Sequence, residues 1–372
     1  MQNKICVYAI CKNESQFVDR WCKSMKEADC VVVLDTGSSD DTVERLRVQG
    51  VTVVSKEIKP WRFDVARNEA LKLVPEDCNI LVSTDLDEYF EPGWAAPLRE
   101  QWIDGQHKRA VYTYYLSDSN GMPSKKILYN KIHSKGWYWK YPVHELLLKE
   151  SDNTENLANN EELFIENSVI LYHYPDMSKS RGNYIDLLEL RAKENPEDYF
   201  GLYYLAKEYE VVNLDKAFEV SMRGIQVADN DFYKFIFMVN LGTICEKKFD
   251  YGNALNCYIN ALQLNGEYRF VYLFAARLLF NIVKDYEKAY QLLYNGLKYS
   301  YRHDYWFDRN DGWDSDYYDL MSLSAYNSGR KAESLIFALV ASSKDESDER
   351  LKGNINSILN AITDKEITDY EE

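Results

Sequence analysis

From residue 4 to about 84, short apolar runs alternate with amphipathic stretches. KICVYAI, CVVVLD, VTVVS and NILVST have strand length and are rich in β-branched residues. Between them, ESQFVDRWCKSMKEA, SDDTVERLRVQG and DVARNEALKLV space their apolar residues as helices do, the second opening on Ser/Asp and closing on Gly. Strands separated by helices predict a mostly parallel sheet with helices on both faces. In such sheets ligands bind beyond the carboxyl ends of the strands. Residues 109–132 read as two paired strands around a turn at Asn120-Gly121, an antiparallel addition.

From about residue 195 the texture is helical throughout. LDKAFEVSMRGI, YGNALNCYINAL and YEKAYQLLYNGL align, with Ala217, Ala254 and Ala289 at intervals of 37 and 35 residues, and each is preceded by another helix. A fourth, weaker unit ends in SGRKAESLIFALVA. Helix pairs at this spacing predict a short tetratricopeptide-like solenoid, the small Ala letting two helices approach; an irregular aromatic-rich bundle is the alternative. The expected division is therefore an α/β domain over 1–194, helical repeats over 195–342, and a capping helix with an acidic tail over 343–372.

The composition is that of a globular protein, 46% hydrophobic and 28% charged. No apolar run exceeds seven residues, so no membrane span is expected. The amino terminus reads as a first strand rather than a signal peptide. Seven cysteines at 6, 11, 22, 30, 78, 245 and 257 form no CxxC pair, which predicts free thiols in a reducing cytoplasm and neither a disulfide framework nor a zinc site. The net charge of −16 argues against nucleic acid or anionic lipid as the main partner.

The chemistry gathers where the strands end. KNE follows the first strand, DTGSSDDT ends the second, and DLDE follows the fourth. Asp-x-Asp occurs at 85/87, 229/231 and 314/316, but only the first copy closes an apolar strand. In an extended segment Asp85 and Asp87 would face one site. Two neighbouring carboxylates repel unless a cation lies between them, and Mg²⁺ or Mn²⁺ suits such oxygens; a helix cap beside a solvated loop aspartate is the plainer account. Dinucleotide, phosphate-loop, zinc-protease and nucleophile-elbow motifs are missing.

KICVYAICKNESQFVDRW, VVVLDTGSSDDTVERL, WRFDVARNEAL and ILVSTDLDEYFEPGW together resemble the nucleotide-sugar half of inverting GT-A glycosyltransferases of the family-two type. PVHELL and the stretch from YHYPDMSKS to LAKEYE resemble bacterial members with a tetratricopeptide tail. The resemblance implies a metal-dependent enzyme moving a sugar from a nucleotide diphosphate donor, foremost a UDP-sugar, to a polysaccharide, protein or peptide. It places Asp35 at the base, with Asn13 and Glu14 beside it, although Thr36 stands where many relatives carry a second aspartate. Arg67 and Asn68 border the nucleotide. Asp85 and Asp87 match the metal motif, Asp87 foremost as the direct ligand, and His173 completes the metal shell. Lys179 and Arg181 would neutralise diphosphate charge. His144 or Glu145 would take the acceptor's proton. The repeats would hold an acceptor or a protein partner, or self-associate. Taken alone, Asp35 could equally cap a turn, Arg67 form a surface ion pair and His173 pack in a core. The competing functions are a repeat-based binding protein with a degenerate sugar-nucleotide half and a DNA-modifying sugar transferase.

Overall fold

The computed structural model describes residues 3–118, 120–151, 157–158, 160–177, 184–302, 307 and 309–371, with side chains as far as 362. The chain forms two compact units, residues 1–191 and 192–372. Among the described residues no helix is long and apolar enough to cross a membrane.

The first unit opens with β1 (Ile5–Cys11), α1 (Val18–Met25), β2 (Cys30–Asp35), α2 (Thr42–Val48), β3 (Thr52–Ser55), α3 (Phe63–Leu71) and β4 (Ile80–Thr84). It continues with β5 (Glu88–Phe90), α4 (Ala95–Gln101), β6 (Arg109–Ser117), β7 (Pro123–His133), β8 (Trp137–Lys140), β9 (Leu146–Lys149), β10 (Glu162–Phe164), β11 (Ile170–His173) and α5 (Tyr184–Glu194). The main sheet runs β3-β2-β1-β4-β7-β6-β11-β5, with β10 also on β6, and β8 and β9 form a separate hairpin. Strands β1 to β4 pair in parallel. Strand β7 is antiparallel to both β4 and β6, so the expected hairpin is the hinge between a parallel and a mixed half.

Strand β1 is buried along its whole length, and its side chains divide by period two. Ile5, Val7 and Ala9 enter one core with Trp21 and Leu98, whereas Cys6, Tyr8 and Ile10 enter another with Ala66, Ala70, Trp137 and Trp139. The second core is laced by a buried chain of hydrogen bonds. The Trp139 indole donates to the Tyr8 hydroxyl at 2.9 Å, which lies 2.8 Å from His133 Nε2. His133 Nδ1 donates to the Ser134 carbonyl at 2.7 Å, so Nε2 is the acceptor, and burial pushes the imidazole down to about 4.

The second unit is built of helix pairs: α6 (Tyr199–Val212) with α7 (Leu214–Val227), α8 (Asp231–Lys247) with α9 (Tyr251–Leu264), and α10 (Arg269–Leu278) with α11 (Tyr286–Gly296). A fourth pair, α12 (Ser315–Asn327) and α13 (Lys331–Lys344), precedes α14 (Glu349–Glu371), which occupies most of the expected tail. The aligned Ala217, Ala254 and Ala289 are all fully buried. Each lies four residues after a helix-capping Asn or Asp: Asn213, Asp250 and Asp285 accept from the amide three residues on at 3.1, 3.3 and 3.1 Å. In the fourth pair the same place holds Ser334, also fully buried, whose carbonyl accepts from Ser322. The other two Asp-x-Asp copies lie at helix starts, 229/231 around the α8 cap Asn230 and 314/316 at the start of α12.

The α8–α9 pair meets through glycine. A Cβ on Gly242 of α8 would overlap the Tyr258 ring of α9, whereas one on Gly252 would meet nothing within 4 Å. Gly242→Ala should therefore cost roughly 1–3 kcal/mol. Gly252→Ala should be neutral or stabilising by up to about 1 kcal/mol. Urea unfolding followed by circular dichroism checks both.

Candidate active site

The carboxyl ends of β1, β2 and β4 open into a cavity of about 1510 Å³, large enough for a nucleotide-sized ligand and a second substrate. Lys12 and Glu14 line it after β1, Thr36 after β2, and Asp85 to Glu88 after β4. Tyr114, Tyr129 and Lys131 enter from the mixed half, with His144, Glu145 and His173.

At its floor lies Arg67, carried in by α3 and only 4% exposed. Its Nη2 donates to both Asp85 oxygens at 2.9 and 3.1 Å, and its Nε donates to Glu145 Oε1. The guanidinium also lies over the Trp139 ring. Burial opposes its charge, but Asp85 and Glu145 outweigh that and raise its pKa well above the ordinary value. Lys131 Nζ approaches Asp85 Oδ2 at 3.9 Å. Burial likewise opposes ionisation of Asp85, and Arg67 followed by Lys131 hold its carboxyl below the usual range. Arg67 is thus no surface ion pair.

The Asp85–Asp87 segment differs from the extended reading. It is a turn, with the Glu88 amide donating to the Asp85 carbonyl at 3.1 Å, and the two carboxylates take separate cationic partners. Asp87 Oδ2 lies 3.2 Å from His173 Nε2, and His173 Nδ1 lies 3.3 Å from Ser117 Oγ. Burial disfavours the imidazolium, but the Asp87 bond overcomes it and raises the His173 pKa. A carboxylate oxygen and an imidazole nitrogen therefore meet at the cavity wall, a mixed donor pair that suits Mn²⁺ better than Mg²⁺, which prefers oxygen alone, while Asp85 is held beside them by Arg67.

Glu88 was not singled out by sequence. It accepts from the Tyr114 hydroxyl at 2.8 Å and the Asp85 amide at 3.0 Å. Burial, then the neighbouring Asp85 and Asp87 charges, push it up to about 7. Its position directly after the Asp-x-Asp was the available signal. Lys131 and Tyr129, two apart on β7 and both on the cavity, carried none, because only tertiary pairing brings β7 beside β4.

Other expected contacts go elsewhere. Asn68 is not on the cavity wall: its Nδ2 donates to the Trp139 carbonyl at 2.7 Å and its Oδ1 accepts from the Trp139 amide at 2.8 Å, docking the β8–β9 hairpin. Asp35, 3% exposed and also off the wall, accepts from the Ser38 amide at 2.9 Å, so it caps the turn after β2. Asn13, at φ 55°, accepts from the Ser39 amide at 2.7 Å and binds the loops after β1 and β2 together, whereas Glu14 does reach the cavity. His144 and Glu145 also reach it; His144 sits at φ 49°, with its carbonyl accepting from the fully buried Arg191 at 2.7 Å. Lys179 and Arg181 lie outside the described residues.

Residues 6–155 match the family model described as Glycosyl transferase family 2. No curated protein matches the chain. Among solved structures, the chain is similar to YrrB, a TPR protein with an unusual peptide-binding site, at 16% identity over 48% of this chain and 85% of that one, with a TM-score of 0.40. It is similar to MamA from Desulfovibrio magneticus RS-1 at 14% identity, over 52% and 92%, with a TM-score of 0.35. It is similar to a thermophilic TPR protein from Thermus thermophilus at 19%, over 48% and 91%, with a TM-score of 0.32. The repeats are recognised from their own caps and packing.

Replacing Arg67 by Met would take from Glu145 its guanidinium partner and leave Asp85 only the more distant Lys131, at a cost of about 3 kcal/mol. Asp85 has a lowered folded pKa, so its stabilisation is present above its unfolded value of about 3.9 and lost as pH falls through the folded one. The gap between wild type and Arg67→Met should accordingly be widest near neutrality and narrow in acid, as read from urea midpoints of the first unit against pH.

Proposed function

We propose, on the premise that the first unit carries a glycosyl transferase family 2 domain, that this protein is a metal-dependent inverting transferase using a nucleotide diphosphate sugar, foremost a UDP-sugar. The observation that carries this reading is the meeting of Asp87 and His173, beside the Arg67-held Asp85, in a cavity at the carboxyl ends of parallel strands. A Mn²⁺ or Mg²⁺ ion at Asp87 and His173 would supply Lewis-acid stabilisation to the departing diphosphate. Lys131 and Lys12 add positive charge on the same wall. Arg67 keeps Asp85 in one orientation, so the donor meets a preorganised floor rather than a mobile carboxylate.

In the transfer, an acceptor oxygen or other nucleophile forms its bond to the anomeric carbon as the bond to the diphosphate breaks. The acceptor's proton goes to the His144–Glu145 pair, the remaining acid–base groups of the loop after β8 on this wall. Both are restrained: Glu145 by Arg67, His144 through its carbonyl by Arg191. Trp61, Phe63 and Tyr184 line the same cavity and offer rings to an apolar sugar face. The acceptor is a polysaccharide, protein or peptide, with the repeat unit as the surface that holds it.

Asp87→Asn should lower Mn²⁺-dependent UDP release from UDP-sugars by at least about 10²-fold while leaving the unfolding midpoint in place. Undiminished release in that variant refutes the metal assignment, and no release from any nucleotide sugar by the wild type refutes the transferase. The base is the member of the pair whose replacement, His144→Gln or Glu145→Gln, lowers kcat by about 10²–10⁴-fold and removes the ascending limb of the pH profile.

A further inference from the structure

At the opposite end of the parallel strands, far along the sheet from the cavity, three thiols converge. Cys6 is the second residue of β1, Cys30 is the first residue of β2, and Cys78 precedes β4. Cys6 and Cys30 are register partners across the parallel pair. The Cys30 and Cys78 sulfurs are 3.5 Å apart, and all three Sγ atoms lie within 4.8 Å of one another. Cysteines scattered without CxxC spacing predict free thiols and no zinc site, but a parallel sheet sets the starts of successive strands side by side whatever the sequence distance between them.

We propose that Cys6, Cys30 and Cys78 form a binding site for one thiophilic metal ion, with Zn²⁺ the first candidate. The argument is geometric. Zinc–thiolate bonds of about 2.3 Å place ligand sulfurs about 3.8–4.0 Å apart, so the three need shift by no more than about an ångström from separations of 3.5 Å to within 4.8 Å. A disulfide needs sulfurs about 2.05 Å apart, well inside the 3.5 Å observed. Thiolates also select soft cations over the hard ions that suit the carboxylate cavity.

The setting fits an ion that enters from one side. Cys6 and Cys78 are buried and Cys30 is half-buried. Among the described residues no fourth His, Cys, Asp or Glu joins the group, so a fourth position would go to water or an external ligand. The flanking carboxylates are already engaged, Asp77 by Lys4 and Asp29 by Arg99 and the Ile5 amide. Such an ion would tie three core strands at their amino ends and act on stability, apart from the transfer chemistry.

The test is a Co²⁺ titration of the reduced, chelator-treated full chain, followed by its near-ultraviolet thiolate-to-cobalt charge-transfer band. That band distinguishes sulfur ligation from binding at Asp87 and His173. The band should saturate at one equivalent per chain, Zn²⁺ should abolish it, and Zn²⁺ should raise the unfolding midpoint. Cys30→Ser, at the half-buried position of the three, should weaken binding at least about tenfold and abolish the Zn²⁺-induced shift; Cys257→Ser should change neither. Absence of the band, its persistence in both Cys30→Ser and Cys78→Ser, or isolation of the metal-free chain with a Cys30–Cys78 disulfide overturns the proposal.

Discussion

A single buried guanidinium organises the first unit's functional face. Arginine does not give up its proton in proteins, so burying Arg67 requires anionic partners at close range. They come from two distant segments: Asp85 from the turn after β4 and Glu145 from the loop after β8. Because an unpaired charge there is so costly, these segments are held in one arrangement.

Three consecutive residues of α3 show how the fold delivers that charge. Ala66 packs into the core around Tyr8 and Trp139, Arg67 points to the cavity, and Asn68 grips the Trp139 backbone. Successive helix positions are turned by about 100°, so one helix addresses three surroundings at once. Trp139 is shared by all three: its ring lies beneath Arg67, its indole donates to Tyr8, and its backbone pairs with Asn68. The aromatic run WYWK on β8 is therefore a scaffold for the ion pair.

What was legible in the sequence follows from the range of the interactions involved. Strands β1 to β4 and their helices were legible because burial on both faces leaves apolar runs of strand length. The helix repeats were legible because capping and close packing are local and recur with the chain. Asp87 was named from its place after an apolar strand and His173 from the resemblance, and the fold brings the two within 3.2 Å across much of the first unit's sequence. Asn68 and Asp35 both engage backbone groups, and a side-chain amide or carboxylate that does so looks, in sequence, like one that awaits a ligand. Lys131 and the thiol cluster were invisible because strand order alone makes them neighbours, and strand order is not written locally.

The repeat unit illustrates the converse, a physical rule that tolerates a change of residue. Its inter-helix contact needs a small side chain four residues after the cap, and Ala217, Ala254 and Ala289 meet that need with nothing polar to satisfy. Ser334 meets the same steric demand, but a buried hydroxyl must be hydrogen-bonded. Ser322, also buried, lies 3.2 Å from the Ser334 hydroxyl and donates to the Ser334 carbonyl at 2.9 Å, so the two serines satisfy one another across the α12–α13 contact. The alanine pattern therefore fades in the fourth pair although the packing persists. Size is the constraint, and polarity is admitted wherever a partner is built opposite it.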